Sequence, residues 1–426
     1  MHELTALIKN DMTPALGVTE PGAIAFCVAK ARGYVGGQLK KITVAMNSGM
    51  YKNAFTCGIP GAEQTGILHA AALGYVAGKP EKGLMVLEDV QTEDNEKAAR
   101  LVADGMVGVR LSGMTSRIYI CARVETDKGA AEVTVQDTHT GITCIKVNGS
   151  VVFGAEEENA KEAEEQQAHP ICRYTVADIL TYINTVDPEE IAFVDEAYRV
   201  NMELFHEGLA HPRTTFARAL LAMNGGQVFS GDELGTASLL AGGAIEARVI
   251  GLNKPAMSIT GSGAHGIIAT LPLHAVCRLR GLDEQKLRRA TMLSYLICTY
   301  IKEYSGRLSA FCGCGIAAGS GMACGLCYLY GGGLEEVERT LQNMAASITG
   351  MICDGGNQGC AMKGIAACDA AFRAARLAMA GAYVDAAHGI CGSSGEETMR
   401  YMGRIASPGM VGTEKTIVEI FEEKLK

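Results

Sequence analysis

Apolar and polar residues follow two different patterns in the first part of the chain. Residues 1–36, 64–78 and 92–105 have the apolar spacing of amphipathic helices. Residues 40–50 and 82–90 are short apolar or alternating runs, which predict strands. Helices and strands therefore alternate at first, as is typical of a mixed α/β region.

Further along, the pattern changes twice. Residues 107–153 are rich in β-branched residues that alternate with polar ones, which predicts an antiparallel meander. The charged segment 156–170 follows, and it is the best candidate for a domain boundary. Beyond residue 174 strand signals nearly vanish, and apolar helical patterns alternate with glycine-rich breaks. We therefore predict an α+β protein, with a mixed α/β region at 1–170 and a mostly α-helical domain at 171–426.

Composition and charge narrow the classes of function. The 426 residues are 48% hydrophobic and 20% charged, which is enough apolar material for a sizeable core. The net charge is −9 and no basic stripe is visible, which argues against nucleic acid as a partner. The sequence has no uninterrupted apolar run of about 20 residues and no signal-peptide core at its N-terminus. We expect a cytoplasmic protein without a membrane partner, and a homo-oligomer remains open.

The 15 cysteines are an odd number, which does not suit a disulfide framework in a long chain without a secretion signal. FCGCG carries Cys312 and Cys314, and ICDGGNQGC carries Cys353 and Cys360. Structural zinc usually takes two close pairs, and the six residues between the last two cysteines fit this poorly. Iron–sulfur clusters accept freer spacings, and a cluster held by three cysteines leaves one iron open as a Lewis acid.

The remaining cysteines give weaker signals. Cys391, in HGICGSSGE, is a candidate fifth member of the group. Cys324, Cys327 and Cys368 lie on apolar helical faces, and we interpret them as core residues. The alternative is that all the thiols are free and serve only in packing.

Two glycine-rich loops open predicted helices. GSGAHG (261–266) has the spacing of a dinucleotide fingerprint, but that motif needs a preceding strand, and the surroundings here are helical. The free N–H groups of such a helix start can bind a carboxylate, as can those of IPGAEQTG (59–66). A tight turn and a plain strand-to-helix connection are the respective alternatives. His265 is either a proton carrier beside such a site or a structural histidine.

Several of these stretches together resemble one family. PALGVTEPGAIA, YKNAFTCGIPGAEQTG, MSITGSGAHGIIATLP, LSAFCGCGIAAGSGMACG and ICDGGNQGCAMK occur in this order and extend over nearly the whole chain. They resemble the L-cysteine desulfidase family, which is related to the α-chain of iron–sulfur L-serine dehydratases. The resemblance implies a [4Fe–4S] cluster bound by three cysteines, which correspond to Cys314, Cys353 and Cys360, with Cys312 as the alternative first ligand.

The resemblance also implies a reaction, β-elimination from a small amino acid. L-Cysteine would give pyruvate, ammonia and sulfide, with the open iron binding the leaving group. The candidate bases are His265 and Lys363. The N-terminal helix and the TEP loop are expected to pack on the helical domain, because the site needs both. The candidate substrate-binding residues lie in the quoted motifs: Thr19, Glu20, Asn53, Gly61, Ser262 and Gly263.

One position departs from the family pattern. GVTEP has Val18 where the desulfidases have a cysteine that is a proposed base, and valine cannot accept a proton. This departure implies that either the catalytic base or the substrate differs from that of the desulfidases. The alternatives are dehydration of L-serine or of another hydroxy or β-substituted substrate, and a non-catalytic iron–sulfur or redox-sensing protein.

Overall fold

The computed structural model describes residues 1–115, 117–155, 169–306 and 308–424. The charged segment predicted as a boundary, 156–170, lies outside the described residues except for its last two positions. The described residues form an α+β protein with a sheet in the N-terminal half and helices beyond it. This confirms the predicted fold class.

Strands and helices are numbered in chain order. The strands are β1 (Thr13–Leu16), β2 (Leu39–Asn47), β3 (Val107–Gly113), β4 (Tyr119–Thr126), β5 (Gly129–Gln136), β6 (Ile142–Val147), β7 (Ser150–Gly154) and β8 (Pro255–Ser258). The helices are α1 (Glu3–Asp11), α2 (Thr19–Arg32), α3 (Ser48–Ala54), α4 (Gly66–Val76), α5 (Thr92–Ala103), α6 (Val176–Thr185), α7 (Asp195–Ala210), α8 (Phe216–Met223), α9 (Glu233–Val249), α10 (Gly263–Arg280), α11 (Glu284–Ser305), α12 (Gly319–Leu329), α13 (Leu334–Ile348), α14 (Gly359–Met379), α15 (Gly395–Arg404) and α16 (Val411–Glu423).

Six strands form one mixed sheet in the order β3-β2-β4-β5-β6-β7. Strands β4 to β7 make the predicted antiparallel meander, because each pairs with the next one along the chain. Strand β3 departs from the prediction, since it lies parallel to β2, and β2 separates it from β4. The reason is the connection: α3, α4 and α5 lie between β2 and β3, and a helical crossover lets consecutive strands run parallel.

The strand predicted at 82–90 is wrong. Residues Pro80–Met85 form a 3₁₀ helix, within which Gly83 has a φ of 57°. The apolar residues of this segment pack against α2, where Leu84 lies beside Gly22, and do not pair in a sheet. Tertiary packing has therefore overridden the local strand propensity.

Helix α2 carries the TEP sequence into the interior. It packs between α4 on one side and β4 and β5 on the other, and among its residues only Lys30 and Arg32 are not buried. A Cβ on Gly74 of α4 would lie 2.5 Å from the carbonyl oxygen of Ala25, so glycine permits the close approach of the two helices. A helix that is buried on all sides places its first turn, which includes Glu20, inside the protein.

Beyond the sheet, α9, α10, α11, α12 and α14 pack on one another and form most of the helical core. Strand β8, which the sequence did not predict, pairs antiparallel with β1 and brings Thr13 opposite Ser258. Helix α1 packs on α11, and α3 packs on α16. Among the described residues, no helix is long and apolar enough to span a membrane. The division into two domains at residue 170 stays a prediction.

Candidate functional site

Two cysteine-bearing loops run side by side, one ahead of α12 and one ahead of α14. The N–H of Cys312 donates a 2.9 Å hydrogen bond to the carbonyl of Met351. The N–H of Cys353 donates a 2.6 Å hydrogen bond to the carbonyl of Ala310. Backbone hydrogen bonds thus hold together two loops that are about 40 positions apart in the sequence.

Cys312, Cys314, Cys353 and Cys360 form a group that we call the thiol cluster. A hydrogen bond to Cys312 is the main cause that raises the pKa of Cys314 well above its usual range, followed by burial and by the other thiols of the group. The same bond lowers the pKa of Cys312 to about 6 against the effect of burial, and the N–H of Gly315, 3.4 Å from its Sγ, assists. Cys312 is therefore the member of the pair that loses its proton more readily.

Cys360 completes the group from the first turn of α14. Its Sγ donates a 3.4 Å hydrogen bond to the carbonyl of Gly355. Burial is the main cause that raises the pKa of Cys360 to about 12, and the neighbouring Cys353 and Cys312 act in the same direction. Cys360 is therefore a protonated thiol that faces the other members of the cluster.

The donor set can be tested against the predicted cofactor. As the side chains stand, no group of three or more His, Cys, Asp or Glu residues in the described part of the chain is arranged to hold a metal ion. The chemistry of the donors nevertheless fits an iron–sulfur cluster, because thiolate sulfur is the ligand that holds such clusters. All 15 cysteines lie within the described residues, and all are free. Cys314, Cys353 and Cys360 are thus available as ligands, with Cys312 beside them.

The ring of His265 lies against the first cysteine loop. A Cβ on Gly313 would lie 2.5 Å from Nε2 of His265, so this approach requires a glycine. Nδ1 of His265 lies 2.5 Å from Oγ1 of Thr260, which donates its own proton to the carbonyl of Ile259. The hydroxyl therefore accepts a hydrogen bond from Nδ1–H. This assignment of the ring proton leaves the lone pair of Nε2 free.

His265 is a neutral imidazole at neutral pH. Burial is the largest cause that lowers its pKa well below the usual value, and the positive charges of Lys302 and Arg248 act in the same direction. The negative charge of Glu20 raises the pKa of His265 but does not outweigh these effects. A neutral ring with a free Nε2 beside the thiol cluster is able to accept a proton.

Lys363, the second candidate base, is in a different state. It forms an ion pair with Asp354, a residue of the second cysteine loop. Burial lowers the pKa of Lys363, but the pair with Asp354 and the thiols of Cys312 and Cys360 outweigh burial and raise this pKa above its usual range. Lys363 therefore keeps its proton at neutral pH. This suits electrostatic stabilisation of negative charge and not proton abstraction.

Glu20 is a buried carboxylate in the first turn of α2. Its Oε1 accepts a 2.8 Å hydrogen bond from Asn53, and its Oε2 accepts a 3.1 Å hydrogen bond from Thr19. Nε2 of His139 lies 3.7 Å from Oε1, which is too far for a hydrogen bond. Burial raises the pKa of Glu20, but His139, Asn53 and Arg248 together lower it to about 2. Glu20 is therefore an anion in the interior.

Asn53 connects this carboxylate to the thiol cluster. Its Oδ1 lies 3.8 Å from Sγ of Cys353, within reach of a weak thiol hydrogen bond, and its carbonyl accepts a 3.1 Å hydrogen bond from the N–H of Gly356. Val18 lies against the same loop, because a Cβ on Gly356 would be 2.8 Å from Cγ1 of Val18. The position at which the desulfidase pattern has a cysteine therefore borders the second cysteine loop.

Arg248 of α9 is a site residue that the motifs do not reveal. It is 4% exposed, and its Nε lies against Gly263 at the start of α10 and has no hydrogen-bond partner in the part of the chain that the structure describes. Its charge lowers the pKa of Glu20 and of His265. The signal that can reveal it is a charged residue within a run of small and apolar ones, AGGAIEARVIG. His139 gives no comparable signal, because it lies in a polar loop after β5.

Of the other predicted substrate-binding residues, Gly263 joins the site through Arg248, and Ser262 immediately precedes it. Gly61 does not join the site, because it is exposed and its carbonyl accepts a 2.7 Å hydrogen bond from Asn95 of α5. Its loop contributes Cys57 instead, a buried thiol whose pKa is raised by burial first and then by the charge of Glu20.

Four further cysteines that the sequence analysis singled out lie outside the thiol cluster. Cys391 lies elsewhere, and its Sγ donates a 3.5 Å hydrogen bond to the carbonyl of Gln342. The three cysteines interpreted as core residues are fully buried: Cys324, Cys327 and Cys368. This confirms the assignment of these three to the core.

A surface cavity of about 570 Å³ lies beside the site. Its lining includes Val249 and Gly359, the sequence neighbours of Arg248 and Cys360. The cavity is larger than a small amino acid and lies against α9 and the start of α14, the helices that carry Arg248 and Cys360.

Comparison with known proteins supports the predicted family. Residues 81–419 match the family model described as the serine dehydratase alpha chain, a range that includes Arg248, His265 and the thiol cluster. A UPF0597 protein of Clostridium botulinum is 38% identical over 427 residues, covering 99% of this chain and 98% of the relative. UPF0597 protein TTE0269 of Caldanaerobacter subterraneus is 38% identical over 421 residues, with 99% and 98% covered. A UPF0597 protein of Alkaliphilus oremlandii is 31% identical over 417 residues, with 97% and 96% covered. The matched description indicates an enzyme of the lyase type, and the chain belongs to the serine dehydratase α-chain family.

Proposed function

We propose that this chain catalyses iron–sulfur-dependent β-elimination from a small amino acid, with L-cysteine as its substrate. One L-cysteine and one water give pyruvate, ammonia and hydrogen sulfide. The observation that carries the proposal is the position of His265, whose free Nε2 lies against the loop between Cys312 and Cys314. A proton acceptor against the loop that carries two of the four thiols suits a reaction that breaks a C–H bond and releases a soft leaving group.

Cys314, Cys353 and Cys360 would hold a [4Fe–4S] cluster, with Cys312 as the alternative to Cys314. When bound, such a cluster with an open iron supplies a Lewis acid for the leaving group. Soft sulfur ligands favour soft partners, which makes a thiol leaving group a good match.

The residues of the chain supply the remaining chemistry. His265 takes the Cα proton at Nε2, and Thr260 keeps the ring in the required tautomer. The positive charge of Lys363 lies near Cys312 and Cys360 and stabilises negative charge as the leaving group departs. Glu20 binds the substrate ammonium, because it stays ionised and Thr19 and Asn53 fix its orientation. The enamine that leaves the site tautomerises and is hydrolysed to pyruvate and ammonia.

Dehydration of L-serine is the second candidate function. Two observations favour it: the description of the matching family and the presence of Val18 beside the second cysteine loop. The groups in the site would act in the same way, with water as the leaving group. L-Serine would give pyruvate and ammonia without sulfide.

The test uses protein purified without oxygen, reconstituted with iron and sulfide, and freed of excess sulfide. We expect a brown protein that releases pyruvate and sulfide from L-cysteine. Pyruvate from L-serine alone would replace the first candidate with the second. A brown protein that is inactive on both substrates would overturn both and favour a non-catalytic iron–sulfur protein. A protein that retains no iron would overturn the cofactor assignment itself.

The role of His265 has its own readout. His265→Asn should lower kcat by about 100-fold or more, since a positioned base contributes at least that much, and leave the cluster absorbance unchanged. In the wild type, the acid limb of kcat/KM should fall below pH 6.5, the ordinary histidine value, because the pKa of His265 is lowered. Near-normal turnover of His265→Asn would reject the role.

The fifteen free thiols also suit the reducing cytoplasm, which we propose as the location.

A further inference from the structure

The guanidinium of Arg248 is a buried cation that has no hydrogen-bond or ion-pair partner among the described residues. The residue is 4% exposed, and its Nε forms no hydrogen bond. No ion pair within 4 Å includes Arg248 in the part of the chain that the structure describes. Buried charges in proteins are paired, because an unpaired one loses its hydration without compensation. The guanidinium is therefore suited to bind an anion other than the carboxylates of the described residues, none of which lies within 4 Å of it.

The start of α10 faces this side chain. A Cβ on Gly263, the first residue of the helix, would lie 2.8 Å from Nε of Arg248. The first N–H groups of this 18-residue helix have no acceptor within the helix, and Ser262 does not cap them with its side chain. Free N–H groups and a guanidinium thus converge on one point, which is the combination that binds a carboxylate well.

Glu20 supplies the opposite charge of the site. It attracts Arg248 electrostatically, but the charged atoms of the two side chains do not come within 4 Å of each other. An α-amino acid carries its carboxylate and its ammonium group on the same carbon. It is therefore suited to fill a gap between a buried cation and a buried anion, and to satisfy both.

We propose that Arg248, together with the free N–H groups at the start of α10, binds the α-carboxylate of the substrate while Glu20 binds its ammonium group. Because it takes an α-amino acid as the ligand, this assignment rests on the proposed function. His265 is influenced by the charges of both Arg248 and Glu20. A substrate held between those two charges presents its Cα–H to Nε2. The site should consequently reject analogues that lack a free carboxylate.

Binding of L-alanine and of L-alaninamide to the anaerobically reconstituted protein tests the assignment. L-Alanine has both charges and no leaving group, so it binds without reacting, and the amide lacks only the carboxylate charge. In calorimetry, we expect the wild type to prefer L-alanine by about 10- to 100-fold, the usual effect of a charge-assisted hydrogen bond. Arg248→Met should abolish this preference, and Arg248→Lys should restore part of it. Arg218→Met, at an exposed arginine that donates to the carbonyl of Pro212, is the matched control.

Each outcome decides the assignment. Equal affinities of the wild type for L-alanine and the amide would overturn it even if Arg248→Met failed to fold. A preference that survives in a folded Arg248→Met variant would overturn it as well, because an arginine that only neutralises Glu20 predicts that result. Binding through Arg248 without turnover of L-cysteine or L-serine would support the assignment and refute the proposed function. Normal turnover with an unchanged KM in Arg248→Met would refute the assignment and support the proposed function.

Discussion

The ammonium group of Lys52 lies 3.0 Å from Oε2 of Glu414, and both side chains are buried. The pair joins α3 to α16, two helices at opposite ends of the chain. Lys52 also donates a 3.0 Å hydrogen bond to the carbonyl of Ser309, and Ser48 donates to the other oxygen of Glu414. The C-terminal helix is thereby tied to the backbone that leads into the first cysteine loop.

Removal of one partner should be costly here. Glu414→Ala leaves the ammonium of Lys52 buried without its counter-charge, which should lower the free energy of unfolding by about 3–5 kcal/mol. Urea denaturation measures the change. Glu419→Ala, which removes the partner of the exposed Lys415, is the matched control and should change stability by less than about 1 kcal/mol. Equal effects of the two variants would contradict the importance of the buried pair.

The thiol cluster and the remaining cysteines should respond differently to the same substitution. Cys353→Ser and Cys360→Ser should each lose most of the reconstituted iron and visible absorbance, because an alcohol is a poor ligand for soft iron–sulfur centres. Cys391→Ser should retain both, since that thiol only donates to a carbonyl elsewhere. Cys312→Ser and Cys314→Ser, measured in parallel, identify the first ligand as the variant that loses iron. Iron loss in Cys391→Ser would contradict the grouping.

Glu20 should make the stability of the protein depend on acid pH. Its pKa falls from 4.5 to about 2 on folding, so its charge stabilises the folded state above pH 4.5 and the gain is lost as pH falls toward 2. The shift corresponds to about 3 kcal/mol. The stability difference between wild type and Glu20→Gln should therefore shrink by about that amount between pH 6 and pH 2 in urea denaturation. Glu338→Gln should show the opposite sign, because burial raises the pKa of Glu338. A pH-independent difference for Glu20→Gln would refute the shift.

Gly356 should be required where the second cysteine loop meets α2. A Cβ at this position would lie 2.8 Å from Val18 and 3.0 Å from the carbonyl of Asn53, so Gly356→Ala should destabilise the protein by about 1–3 kcal/mol. Adding Val18→Ala should recover part of this loss, a coupling that a double-mutant cycle in thermal unfolding measures. Gly350→Ala has open space around its Cβ and should be close to neutral. Strict additivity of the two substitutions would show that Val18 is not the obstacle.

The local pattern of apolar and polar residues predicts an element correctly where one face of that element is buried. Alternation predicted β4 and β5 correctly, because these strands pack one face on the core, whereas β7 pairs with β6 although all five of its residues are exposed. The parallel pairing of β2 with β3 and the strand β8 escaped prediction, since both depend on partners far away in the chain. Residues 82–90 were wrongly predicted as a strand for the same reason, because their apolar side chains pack against α2 and not in a sheet.

The residues of the candidate site also differ in whether a local sequence signal or a distant contact defines them. The motifs identified Cys312, Cys353 and Cys360, which the backbone brings together, because glycine and cysteine mark such loops within a few residues. Arg248 escaped, because its role depends on α9 meeting the start of α10 and the start of α2. Sequence reasoning also could not give protonation states. Only burial and neighbouring charges distinguish the neutral His265 from the protonated Lys363.

The pairing of β1 with β8 bears on how the protein is made. Ribosomes release Thr13 first and its partner Ser258 some 245 positions later, so the segment that leads into α2 has no strand partner for most of synthesis. Closing so long a loop carries an entropic cost that local contacts do not repay. Glu20 therefore acquires its neighbour Arg248 late, although Asn53 and His139 emerge earlier, and a nascent chain cannot hold a working site before Cys353 and Cys360 have emerged.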